Sequence, residues 1–131
     1  MNTGLWVVQG LLAVVFTTSG FAKGTMSKDA LVASGQTGVR HHDISFIRFI
    51  AALEILGVLG LLLPGLTGIA RSLTPLAAAG LAVIMVGAAR AHSRLVREDR
   101  GRRRREMLNV ATNAVLFMAC AFVVTGRTSW M

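Results

Sequence analysis

Four long apolar stretches alternate with polar connections along this chain. They run from about residue 5 to 22, 46 to 63, 75 to 91 and 107 to 125. A helix needs roughly 17–25 apolar residues to cross the hydrocarbon core of a bilayer, so each stretch is long enough for one crossing. The pattern predicts an all-α fold: a single integral membrane domain, residues 1–131, in which four transmembrane helices form a bundle.

Local signals indicate where these helices begin and end. Pro64-Gly65 predicts the end of the second helix, and Thr74-Pro75 predicts an N-cap and the first position of the third. A short interfacial helix is expected from Ser27 to Ser34. Trp6 and Trp130 are expected to act as interfacial anchors, since indole rings favour the headgroup region.

Small residues predict where helices approach one another. Gly20 lies in the first helix, and Gly80, Gly87 and Ala91 fall near one face of the third. Small side chains let the backbones of neighbouring membrane helices come close. We therefore expect another helix to pack closely against this face.

Composition and charge support the membrane assignment. The chain is 53% hydrophobic and only 15% charged, with a net charge of +8. Twelve of its fourteen Lys and Arg residues lie in the first-to-second and third-to-fourth connections, and the other two are Arg71 and Arg127. The positive-inside rule then predicts that both long connections are cytoplasmic and both termini outside. Cys120 is the single cysteine, which excludes a disulfide framework. Nucleic-acid binding is not expected, because aromatic residues do not alternate with the basic ones.

A carboxylate, Glu54, lies near the middle of the second apolar stretch, roughly 12 Å from its start. A charged side chain at this depth costs ~2.5–3.5 kcal/mol, so it normally faces the bundle interior and finds a partner. Thr17 and Thr18 lie at a similar depth in the first helix. A polar patch is thus predicted in the cytoplasmic half of the bundle, and its candidate binding residues are Lys23, Glu54, His92, Asn109 and Asn113.

Each polar feature also has a purely structural interpretation. Glu54 could only lock helix packing, and His92 could either relay protons to Glu54 or lie at the interface. His41-His42 is more typical of a solvated turn than of a metal site, and no metal is predicted. A run of four arginines could bind anionic lipid or an acidic partner, or only fix orientation. Its members are Arg102, Arg103, Arg104 and Arg105.

The chain resembles the DoxX-like family of small four-helix bacterial membrane proteins. The resemblance lies in Gly20 to Lys23, Arg48 to Gly57 with Leu61 to Pro64, Pro75 to Ala89, His92 and Asn109. It implies the bacterial cytoplasmic membrane, and that Lys23, Glu54, His92 and Asn109 are the polar residues of the family. Some relatives are membrane subunits of thiosulfate:quinone oxidoreductase, and others resemble a partner in an oxidative-stress complex. The arginine run is longer than the family pattern.

Three functions are compatible with these features. The first is a membrane-anchored redox accessory subunit that binds a quinone or similar lipid-soluble ligand and contacts a soluble or membrane redox partner. The second is a structural or assembly subunit of an oligomer or complex, and the third is a small proton-coupled transporter. An enzyme acting alone is less expected, because no nucleophile and base lie at a plausible spacing. No cofactor is predicted besides the quinone.

Overall fold

A computed structural model describes residues 2–129, so Met1, Trp130 and Met131 lie outside the described residues. The expectation that Trp130 is an interfacial anchor falls on one of these residues. The helices are α1 (Asn2–Thr25), α2 (Lys28–Ala33), α3 (Ile44–Thr67), α4 (Leu73–Glu98) and α5 (Arg103–Thr128), with single 3-10 turns at Thr37–Val39 and Arg100–Arg102. Four of these helices are long and apolar enough to cross a membrane. The predicted all-α four-helix bundle is confirmed.

The four long helices are antiparallel to their neighbours in the bundle. α1 packs on α3, α3 on α4 and α4 on α5, and α5 closes the bundle against α1. We call the end that carries α2 and the connection between α4 and α5 the basic end. The opposite end, where α3 turns into α4, is the distal end. Short connections between antiparallel helices are typical of this architecture.

The helices extend beyond the apolar stretches at both ends. The short helix expected after Ser27 is confirmed as α2, and the Ser27 side chain accepts a hydrogen bond from the backbone of Ala30. The prediction that the second long helix stops at Pro64 is wrong, because Pro64 lies inside α3. α3 continues to Thr67 and is terminated by Gly68, which adopts a left-handed conformation (φ 74°) that glycine tolerates best.

Apolar side chains occupy both the core and the outer faces of the bundle. Phe16, Leu61, Leu81 and Val123 are buried in the main core cluster. Large apolar side chains on the outside are exposed, among them Val14, Leu56, Leu76 and Met118. Such a surface is unfavourable in water and suits contact with lipid acyl chains.

α3 and α4 approach closely at two glycines in the distal half of α3. A Cβ at Gly60 would come within 2.7 Å of the Ala77 Cβ, and one at Gly57 would meet Leu81 at a similar distance. The expectation of close packing at Gly80 and Gly87 is wrong, since a Cβ at either would meet nothing within 4 Å. Both of these glycines are exposed, so the close contact between α3 and α4 is made by the glycines of α3 instead.

Candidate functional site

A cavity of about 560 Å³ fills the space between the four long helices at the basic end. The loop from Gly35 to His42 covers it, and its walls are mainly apolar, with Phe16, Ile50 and Ile84 among them. Polar side chains reach it from α1, α4, α5 and the loop: Ser19, Lys23, Gln36, His42, His92, Asn109, Thr112 and Asn113. Ligand sites in proteins usually have this size and this combination of apolar walls and few polar groups.

Lys23 and Glu54 form a buried ion pair beside this cavity. Lys23 Nζ donates to Glu54 Oε1 at 2.6 Å, and the side chains are 13% and 0% exposed. Lys23 lines the cavity, whereas Glu54 lies behind it and does not. A lysine ammonium has three N–H donors, so it can bind Glu54 and still donate to a molecule in the cavity. The carboxylate thus holds a cation at the cavity wall.

Glu54 is incompletely satisfied by this pair. Its second oxygen, Oε2, is buried and lacks a hydrogen-bond partner among residues 2–129. A buried carboxylate normally fills most of its acceptor positions, because an unpaired charge in a region of low dielectric constant is costly. The Lys23 side chain is consequently the main group that compensates the charge of Glu54.

Arg48 holds the helix end from which Lys23 projects. Its Nη1 atom donates to the backbone carbonyl of Lys23 and, at 2.9 Å, to that of Met26. Carbonyl groups in the last turn of a helix have no partner within the helix, and a side-chain donor satisfies them. Arg48 therefore fixes the end of α1 against α3 and is a positioning residue for Lys23.

A second polar group joins α4, α5 and the loop. The Thr37 hydroxyl donates to Glu106 Oε1 at 2.7 Å, His92 Nδ1 lies 2.7 Å from Glu106 Oε2, and Asn109 Nδ2 donates to Oε2 at 3.3 Å. Glu106 and Thr37 are fully buried, at 1% and 2% exposure. Four side chains from three segments thus form one hydrogen-bonded group around the Glu106 carboxylate.

The geometry assigns the proton on His92. An ionised carboxylate can only accept hydrogen bonds, so the Nδ1 atom of His92 carries the proton that Glu106 accepts. Nε2 is then the atom available to exchange a proton, and it lies beside the loop at Gly38, where a Cβ would come within 3.1 Å of it. With the proton on Nδ1, Nε2 presents a lone pair that can accept a hydrogen bond at the cavity wall.

Each predicted binding residue has a place in this geometry. Lys23, His92, Asn109 and Asn113 line the cavity, and Glu54 lies behind Lys23. A proton relay from His92 to Glu54 was one of two interpretations of His92, and no direct contact supports it, since His92 pairs with Glu106. Sequence reasoning missed Glu106, which ends the arginine run, although its spacing of three residues from Asn109 places both on one helix face.

Other predicted polar residues lie outside the cavity or at its edge. Thr17 and Thr18 are exposed, so the expectation that they join the polar patch is wrong. His41 pairs with Glu98 at 2.8 Å, and His42 stacks on Phe46. Among residues 2–129, no three His, Cys, Asp or Glu side chains form a group that could hold a metal ion.

The four arginines of the basic run are all exposed, but they do not form one surface. Arg102 and Arg105 line a shallow concavity beside α2, and Arg102 also lies 3.8 Å from Asp99. Arg103 and Arg104 begin α5 and line neither this concavity nor the cavity between the helices. Arg102 and Arg105 therefore share one concave surface that could act as a contact site. Arg103 and Arg104 lie outside this surface and contribute only exposed charge. Binding of lipid or a partner by the run stays a prediction.

Part of the cavity wall is formed by apolar residues that are exposed on the outside of the bundle. Phe46 on α3 and Val83 on α4 both line it, and they are 47% and 71% exposed on the outside of the bundle. These are apolar residues of membrane-crossing helices. An apolar molecule dissolved in the bilayer would therefore reach the cavity wall without passing through water.

Fold, surface and cavity together define a multi-pass integral membrane protein with a polar-lined cavity inside a four-helix bundle. A family model described as the DoxX-like family matches residues 7–123, nearly the whole chain. The chain therefore belongs to the DoxX-like family, as its sequence motifs indicate. Searches of curated proteins and of solved structures give no match.

Proposed function

We propose that the protein binds a quinone, or a similar carbonyl-bearing lipid-soluble compound, in the cavity at the basic end and serves as an accessory subunit of a redox system. The observation that carries this proposal is the combination of a mainly apolar cavity of about 560 Å³, apolar wall residues that are exposed on the outside of the bundle, and the polar side chains of Lys23 and His92 in its lining. A quinone ring is flat, apolar on its faces and rich in acceptor atoms at its carbonyl oxygens. The cavity offers groups complementary to each of these properties.

Two side chains would act on a bound carbonyl. Lys23 would donate a hydrogen bond to one carbonyl oxygen, and Glu54 would hold the Lys23 side chain in place. His92 would deliver or accept a proton through Nε2, with Glu106 holding the ring in the required tautomer. A bound quinone would supply the redox chemistry, and its electrons would come from a partner protein. The exposed run from Arg102 to Arg105 would attract this partner through its charge.

The proposal places the protein in the bacterial cytoplasmic membrane, with the basic end towards the cytoplasm. Twelve of fourteen Lys and Arg residues lie in the helix ends and connections at that end, which supports this orientation. Single-cysteine labelling at an exposed position such as Arg103, in a Cys120→Ser background, tests the orientation in intact cells. A membrane-impermeant maleimide should fail to label this site until the cells are opened.

A structural role is the second candidate, because the polar side chains satisfy one another to a large extent. Glu106 receives hydrogen bonds from three segments, and Lys23 neutralises Glu54. On this alternative the two carboxylates fix helix packing and the cavity has no ligand. The two functions predict different results when the cavity is filled.

Ala91→Phe is the variant that separates them. Ala91 lines the cavity, so a phenyl ring there would occupy part of its volume without removing a polar group. Ala52→Phe is the matched control, since Ala52 is exposed on the outside of α3. Binding of decylubiquinone to purified protein can be measured by co-elution in gel filtration and ultraviolet absorbance.

We expect the wild type and Ala52→Phe to retain decylubiquinone, and Ala91→Phe to lose it while staying folded. His92→Gln should weaken retention about tenfold or more, the effect of one hydrogen bond to a charged or strongly polar group. The wild type could instead retain no quinone, and Ala91→Phe could be more stable than the wild type with no other change. That result would favour the structural alternative.

A further inference from the structure

A second concave site lies on the outer surface of the bundle, in a groove between α4 and α5. Its volume is about 680 Å³, and its floor is formed by Val86, Ala89, Ala114, Phe117 and Met118. It shares Met85 and Asn113 with the cavity as a common wall but opens on a different face. The proposed function makes no use of this groove.

Three arginines of α4 line the groove at its basic end. Arg90, Arg94 and Arg97 are spaced four and three residues apart, so they project from one face of the helix. Arg94 pairs with Glu98 at 2.8 Å, whereas the ion pairs found within residues 2–129 include neither Arg90 nor Arg97. The basic end of the groove therefore carries positive charge that no ion pair among these residues compensates.

The apolar and charged parts of the groove follow one another along the membrane normal. Met85 and Arg97 are twelve residues apart on α4, which corresponds to roughly 18 Å along the helix. The floor belongs to the apolar part of both helices, and the arginines follow where α4 becomes polar. A ligand that matches both parts has a long apolar body and an anionic head at one end.

We propose that this groove binds one anionic phospholipid, with an acyl chain on the floor and the phosphate between Arg90 and Arg97. Guanidinium groups bind phosphate oxygens in a bidentate manner, and arginines beside the membrane surface attract anionic lipid. A second copy of this chain is a poorer match, because a two-fold symmetric contact through this face brings like-charged arginines of both copies together. Charge complementarity thus favours lipid over self-association.

Native mass spectrometry of the detergent-solubilised protein tests the proposal with two lipids of identical acyl chains, phosphatidylglycerol and phosphatidylcholine. We expect the wild type to retain one phosphatidylglycerol molecule in preference to phosphatidylcholine. Arg90→Gln/Arg97→Gln should reduce this retention by about thirtyfold, the effect of two cations near the surface. Arg103→Gln/Arg104→Gln removes the same charge outside the groove and should retain the lipid as the wild type does.

A second variant tests the floor independently of charge. Ala114→Phe places a ring in the groove from an exposed position, so it should displace the acyl chain and reduce retention of both lipids. Melting temperatures measured alongside show that each variant is folded. Equal losses in the two arginine double variants, or unchanged binding by Ala114→Phe, would show general surface attraction and overturn the proposal. A lipid-free dimer of the wild type would assign the groove to a second copy and overturn it too.

Discussion

The ion pair between Lys23 and Glu54 makes a sharp prediction about stability, because the two side chains differ in exposure. Glu54 is 0% exposed and Lys23 is 13% exposed. Removing one partner of a buried pair typically costs ~3–5 kcal/mol, since the other charge stays buried without compensation. Lys23→Met should reach this range, because Glu54 has no route to water. Glu54→Gln should cost less, roughly 1–3 kcal/mol, since the lysine can move its ammonium group towards the opening.

The double variant Lys23→Met/Glu54→Gln is expected to recover most of this loss. It leaves no buried charge, and replacing a whole buried ion pair by uncharged groups is often close to neutral. Reversible unfolding in mixed micelles, followed by circular dichroism during a titration with sodium dodecyl sulfate, gives the free energies of unfolding. The coupling energy between the two sites should exceed about 1 kcal/mol.

Arg71→Gln serves as the control, because Arg71 is exposed in the turn at the distal end. Its free energy of unfolding should stay within about 0.5 kcal/mol of the wild type. If the losses of the two single variants simply add in the double variant, the two side chains are not coupled. The assignment of Lys23 as the counter-charge of Glu54 would then be refuted.

Two further predictions concern helix packing and use the same unfolding measurement. Gly60→Ala should destabilise the protein by about 1–3 kcal/mol, because the new Cβ would lie 2.7 Å from that of Ala77. A Cβ at Gly80 would meet nothing within 4 Å, so Gly80→Ala should be neutral or stabilising. Equal effects of the two variants would contradict the close approach at Gly60. Arg127→Gln should lower the free energy of unfolding by about 1–3 kcal/mol, because Arg127 donates to Gln9 at 2.7 Å and Gln9 in turn donates to the Leu61 carbonyl. An unchanged free energy of unfolding would show that this connection of three helices is dispensable.

The four crossings could be predicted from sequence because bilayer thickness fixes the length of an apolar stretch. Their ends could not, since a helix continues into the polar interface wherever its backbone hydrogen bonds remain favourable. α4 runs to Glu98, although its apolar stretch ends near residue 91. Pro64 did not stop α3, because it loses only its own N–H donor, and its carbonyl still accepts the helical hydrogen bond from the backbone N–H of Gly68.

The polar residues were predicted better than their pairings. The depth of Glu54 indicates a buried partner, and Lys23 is the nearest cation at the end of α1. The partner of His92 depends on the rotation of α5 and on where the loop folds, and neither follows from the spacing of apolar residues. Thr37 illustrates this limit, because nothing in its local sequence distinguishes it from a solvated loop residue, yet it bonds Glu106 in the interior.

The exposed apolar wall of the cavity determines which concentration would set its occupancy. A molecule that entered through this wall, which includes Phe46 and Val83, would arrive by diffusion within the plane of the membrane. Occupancy then follows the mole fraction of that molecule among the lipids, and its aqueous concentration matters only through partitioning. Two compounds with identical contacts in the cavity would differ in apparent affinity by the ratio of their partition coefficients. A protein that binds its ligand in this way would sample the composition of the bilayer itself.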